Sequence, residues 1–155
     1  MSVESKKKLT GWLILLMIIL VGNSLTRIVR EITEVRKSSE PYFLQYPQLA
    51  TTVSIYQWVL FGSACAALST VWVLYQRVPG TLSIAIRAFV AYILVGMAAN
   101  WIFVWYPGLP DEFREPLGSA VRHSLGYVAH GLVWYLYLVR SKRVRDIYAT
   151  QEIPR

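Results

Sequence analysis

The chain has 155 residues, 55% of them hydrophobic and only 16% charged, with a formal net charge of +7. Its mean hydropathy is +0.40. A soluble domain carries about 25% charged residues, and a disordered chain would not hold 6 Trp and 10 Tyr. One cysteine excludes an intrachain disulfide and a cysteine-rich zinc cluster. What remains is a membrane-embedded chain.

Four apolar stretches are long enough to cross about 30 Å of hydrocarbon as helices. The first covers residues 9–26 and carries no charge. It follows a basic segment, as a signal peptide does. It is too long for a signal h-region, and GNSLTRIVRE offers no small-residue cleavage site, so a permanent helix is expected. The second lies within the uncharged run 41–76, with its membrane part at 54–75. The third and fourth are 88–106 and 123–139. Backbone polar groups in lipid must be satisfied within the element, and runs such as LILLMIILV lack the alternation of barrel strands. The expected fold is all-α: one transmembrane domain, 1–155, forming a four-helix bundle.

The basic residues orient it. Lys6, Lys7, Lys8, Arg77, Arg87, Arg140, Lys142, Arg143, Arg145 and Arg155 fall on one side with three acids, a net of +7. Six basic and six acidic residues fall on the other side and cancel. The positive-inside rule then makes both termini cytoplasmic. Aromatic residues cluster toward the span ends, as interfacial belts do.

Residues 27–37 continue the first helix as an amphipathic extension, with Gly22-Asn23-Ser24 as the place for a bend. Ile28, Val29, Ile32 and Val35 share a face, and Arg27–Glu31 and Arg30–Glu34 have the i,i+4 spacing of ion pairs. The plainer reading is a helix lying on headgroups; the alternative is a periplasmic docking surface. Pro41 stops the helix. The proline-rich segment 107–118 reads as a short structured connection. The basic tail 140–155 begins with Arg140, Lys142, Arg143 and Arg145 at the membrane exit. This cluster anchors topology and could attract anionic lipid. No nucleic-acid module accompanies it.

Polar residues within spans are costly. Asn23, Gln57, Asn100, Tyr127 and His130 map to comparable depth, one helix after another. They could form an interhelical hydrogen-bond layer, or line a small cavity. His123, Tyr127, His130 and Trp134 form one stripe on the fourth helix. Two histidines about 10 Å apart on one helix cannot share a haem. Bis-histidine ligation would need a partner subunit, so no cofactor and no metal are expected. On the second helix, Gly62/Ala66 and Ser63/Ala67 are small-residue pairs that permit close packing, with Cys65 on the same surface.

No catalytic constellation is present, so an enzyme is not expected. No carboxylate lies within a span, which argues against a cation-coupled transporter. Three readings follow. The first is a non-enzymatic accessory or scaffold subunit contacting the bilayer and a membrane-protein partner or a second copy. The second is a small oligomeric transporter or channel, and the third a quinone- or haem-associated redox subunit.

Gly11-Trp12-Leu13-Ile14-Leu15, the Arg77-Val78-Pro79 hairpin, and Trp134-Tyr135-Leu136-Tyr137 running into Arg140-Ser141-Lys142-Arg143-Val144-Arg145 carry a further signal. With this layout the chain resembles the YdgK-like family of small bacterial inner-membrane proteins, a domain of unknown function. The resemblance implies four spans, cytoplasmic termini and the bacterial inner membrane. It implies no activity, cofactor or site residue.

Overall fold

A computed structural model describes residues 11–149, and every regular element among them is helical. The expected segments 1–10 and 150–155, with Lys6, Lys7, Lys8 and Arg155, lie outside the described residues. Five helices follow in order: α1 (Gly11–Ser39), α2 (Pro47–Gln76), α3 (Leu82–Trp105), α4 (Leu117–Arg140) and α5 (Lys142–Tyr148). Three segments are long and apolar enough to cross a membrane: Gly11–Tyr42, Pro47–Gln76 and Leu82–Trp105. The protein is thus a helical membrane-type chain.

Local chemistry sets the boundaries. α1 runs without a break through Gly22-Asn23-Ser24, and at 29 residues it is about 43 Å long. Glu40-Pro41 then closes it in a single 3₁₀ turn. Pro47 opens α2, because the first helical position needs no amide hydrogen. α2 ends at Arg77 in the left-handed region (φ 53°), with Gly80 (φ 80°) completing the hairpin into α3. Pro107 and Gly108 (φ 79°) stop α3, and α4 begins directly after Pro116. The helices start earlier than the apolar runs did: α2 at 47, α3 at 82 and α4 at 117. Hydropathy ends where polar residues begin, whereas the helical ladder continues past them.

α3 lies against both α2 and α4, and α1 lies against α2. Two ends can be distinguished: a hairpin end at 77–81, and a loop end where 40–46 meets 106–116. The main core fills the hairpin half. Leu13, Leu16 and Leu20 from α1 meet Ala67 and Leu74 from α2, Phe89 and Ile93 from α3, and Trp134 and Leu138 from α4. At the loop end, Tyr42 and Tyr46 pack edge-on against Phe113 at 5.3 and 5.5 Å, over buried Leu49, Val53 and Leu109. The Tyr46 hydroxyl lies on Glu112, and that hydrogen bond holds its pKa above the usual value.

The small-residue stripe of α2 is split. Ser63 and Ala67 are buried, and the Ser63 hydroxyl donates to the Tyr92 carbonyl at 3.3 Å. Gly62 and Cys65 are exposed, so Cys65 stands off the packed surface where sequence had put it. The Ser63/Ala67 pair takes the packed side, and of the other pair Ala66 packs half-buried against the main core while Gly62 faces out.

The basic tail begins as a docked helix. Ser141 caps α5 through its hydroxyl and the Val144 amide (3.4 Å). Val144 and Tyr148, four residues apart on one face, are buried in the hairpin-end core. The Tyr148 hydroxyl donates to the Leu74 carbonyl, and the Tyr148 carbonyl accepts from the Gly80 amide at 3.0 Å. Burial pushes the Tyr148 pKa up to about 12, keeping it a neutral donor. Arg140, Lys142, Arg143 and Arg145 all stay exposed on the opposite surface.

Candidate functional site

In the loop half α1, α2 and α3 stay packed through Val35, Tyr56, Leu60, Ala99 and Phe103, and polar side chains line a space beside them. The larger cavity has a volume of about 710 Å³, and a smaller one of about 340 Å³ adjoins it through shared walls at Asn23, Arg27 and Tyr127. α1 supplies Asn23, Arg27 and Glu31; α2 supplies Tyr56; α3 supplies Tyr92 and Asn100; α4 supplies Tyr127 and His130.

Asn23, Arg27 and Glu31 recur every four residues, so one face of α1 brings all three inward. Arg27 Nη2 donates to Asn100 Oδ1 at 3.0 Å, and its guanidinium carbon lies 5.1 Å from the Tyr127 ring centre. That cation–π contact is favoured in a site shielded from water. Glu31 accepts from the Tyr56 hydroxyl at 3.0 Å and is 3.5 Å from Arg30. Tyr92 brings its hydroxyl beside Asn23 and stacks obliquely near Tyr127 at 6.3 Å. Trp101 donates to Ser124 Oγ at 3.0 Å, fixing α3 to α4 beside the cavity.

Four of the five polar residues expected from sequence line this cavity: Asn23, Asn100, Tyr127 and His130. Gln57 does not. It sits one position past Tyr56, about 100° further round α2, and Tyr56 takes the inward place. Of the histidine stripe, His123, Tyr127 and His130 reach the cavity, while Trp134 is buried below it in the core and 6.4 Å from His130.

The ion pairing also differs. Arg30–Glu34 forms at 3.6 Å as its spacing predicts, but Arg27–Glu31 does not. Arg27 turns to Asn100, and Glu31 turns to Tyr56 and Arg30. The extension 27–37 therefore stands against α2, with Val35 packed beside Tyr56, Leu60 and Phe103, rather than presenting the apolar set Ile28, Val29 and Val35 as one face. Val29 is exposed while Val35 is half-buried.

Arg27, Glu31, Tyr56 and Tyr92 were not singled out as site residues from sequence. The available signal was the four-residue recurrence Asn23-Arg27-Glu31, which an i,i+4 ion-pair reading absorbs.

Three polar atoms at the site are buried without a hydrogen-bond partner: Ser24 Oγ, Asn100 Nδ2 and His130 Nε2. Buried polar groups are ordinarily satisfied; Gln57 Nε2, away from the cavity, is unpartnered as well. Among the described residues no group of three or more His, Cys, Asp or Glu could hold a metal ion. The site offers a fixed cation, hydroxyls and amides, which suits binding.

Residues 6–149 match a family described as Protein of unknown function (DUF2569). No curated protein and no solved structure matches the chain.

Proposed function

Because the chain belongs to the DUF2569 family, whose description assigns no activity, we propose from its geometry that it is a four-span membrane protein that binds a ligand and does not catalyse. Both termini lie in the cytoplasm, and the cavity faces outward. The protein serves as an accessory subunit of a membrane assembly. A YdgK-like place within the family, in the bacterial inner membrane, belongs to the same reading.

The carrying observation is the lining of the polar cavity, which brings charged and polar side chains from all four long helices together in the loop half of the bundle. Arg30, Arg122 and Gly126 are exposed members of that lining. Below it, Leu16, Leu20, Phe89, Ile93 and Trp134 pack the bundle. A polar cavity in one half and a packed apolar core in the other support a receptacle over a transporter or channel. α4 supports the fourth span. Its 24 residues make about 36 Å of helix, enough for the bilayer core, and it packs against α3. Its polar residues turn to the cavity or to α3, so lipid need not meet them. The exposed bases Arg140, Lys142, Arg143 and Arg145 sit where a cytoplasmic leaflet would attract them, at about 1 kcal/mol each.

Chemical cross-linking in native membranes, read by mass spectrometry, tests the accessory role. A stoichiometric membrane partner linked through Lys37 or Lys142 is expected. Recovery of this chain alone, with no cross-linked partner, would contradict it.

A further inference from the structure

The cavity holds two carboxylates, and both are engaged. Glu31 is held by Tyr56 and Arg30, and Glu115 accepts from the Ser119 hydroxyl at 2.8 Å and lies 3.3 Å from His123 Nδ1. Arg30 is committed to Glu31 and Glu34. Arg27 is different. It is half-buried, and among the described residues no carboxylate lies within 4 Å of its guanidinium. Its contacts are a neutral amide oxygen, an aromatic face and the Tyr56 hydroxyl, which itself donates to Glu31. A cation in that setting is costly unless a counter-charge arrives.

The rest of the site is arranged to receive one. Asn100 is 8% exposed, its Oδ1 accepts from Arg27, and its Nδ2 is left as an unpartnered buried donor at the cavity wall. Asn100 thus holds the guanidinium at the cavity through its neutral oxygen alone. The lining carries Arg27, Arg30 and Arg122 against Glu31 and Glu115, an excess of one positive charge. Asn100 lies five residues before the end of α3, about 7 Å along the helix axis, in the outer part of the span. An arginine fork matches phosphate oxygens in pairs.

From these observations the geometry points to a phosphate-binding site: a singly charged phosphate group held by the Arg27 guanidinium that Asn100 Oδ1 positions. It rests on the ligand-binding reading above and names the ligand's chemistry. The phosphate belongs either to an anionic lipid headgroup entering past exposed Gly126 or to a free phosphate ion from outside.

The test uses the full chain in dodecyl maltoside, which has no phosphate, at constant ionic strength. Sodium phosphate and dihexanoyl phosphatidylglycerol are titrated separately, with thermal unfolding as the readout. Both should raise the unfolding temperature of the wild type. Saturation by phosphatidylglycerol at a concentration at least tenfold lower than by phosphate assigns the site to a headgroup; equal concentrations assign it to free phosphate. Arg27→Gln should weaken binding at least tenfold, and Arg36→Gln, at an exposed position outside the cavity lining, should leave it within twofold. Asn100→Asp places a carboxylate against the guanidinium, so it should abolish the response while leaving the ligand-free protein as stable as wild type or more so. If neither titrant raises the unfolding temperature, or if Asn100→Asp responds as wild type does, the proposal is overturned. Should Arg27→Gln fail to fold, Asn100→Asp alone decides. A negative outcome here alongside a cross-linked partner removes the phosphate assignment and leaves the accessory role standing.

Discussion

Gly96→Ala should destabilise the bundle by about 1–3 kcal/mol and fill part of the outer cavity. Gly96 is buried on α3, and a Cβ built there would lie 2.6 Å from Tyr127 Cε1, 3.1 Å from Cζ and 3.3 Å from the hydroxyl oxygen. No real Cβ tolerates the first of these distances, so the ring must move. The space available to it is the cavity itself, which Tyr127 lines. Moving the ring also takes away the aromatic face under Arg27. Unfolding titrations in detergent should therefore show Gly96→Ala well below wild type. Gly126→Ala is the control: a Cβ there meets nothing within 4 Å, and stability should hold or rise slightly. Equal stability of Gly96→Ala and Gly126→Ala would refute the close approach of α3 and α4 at this point.

Phe89→Ala should lose about 2 kcal/mol, whereas Phe61→Ala should lose almost nothing, since only the buried ring leaves a void. Phe89 is 1% exposed inside the main core; Phe61 is 52% exposed and meets Trp58, itself 74% exposed, at 6.1 Å. In water a buried Phe→Ala change costs about 3–5 kcal/mol, part of it from transferring apolar surface out of water. In a bilayer the transfer part vanishes, because lipid is as apolar as the core, and the void remains. The two variants, unfolded side by side in lipid-like detergent, separate packing from hydropathy. Similar losses for both would mean that α2 and α3 pack in a different rotational setting.

That contrast also explains what the sequence could and could not disclose. The apolar runs locate helices reliably, because only helical backbone satisfies itself over such stretches. They do not fix rotation about the helix axis, since the lipid-facing side of α2 or α3 is as apolar as the packed side. Gln57 and Tyr56 exchange roles for this reason, and Cys65 turns outward while Ser63 turns in. Arg27 was hidden by a different cause. Its spacing to Glu31 satisfies a local rule, and a tertiary partner on α3 overrides it. Asn100 could be singled out as a polar residue in a span, but not as the acceptor that draws Arg27 away from its neighbour. The docking of α5 was closer to legible: Val144 and Tyr148 sit four apart in an otherwise basic segment, the mark of a short helix with one apolar face.

If, as proposed, four helices cross the membrane and present the polar cavity to the outside, α4 must run from the outer surface to the cytoplasm. Gly118 lies at the loop end of α4, Gly126 at the cavity, and Lys142 beyond the hairpin-end terminus, all three exposed. Each is replaced by Cys in turn in a Cys65→Ser background and treated, in intact spheroplasts, with a membrane-impermeant maleimide. Labelling is expected at 118 and 126 from outside, and at 142 only after the membrane is broken. Labelling of 142 in intact spheroplasts, or protection of both 118 and 126, would contradict it.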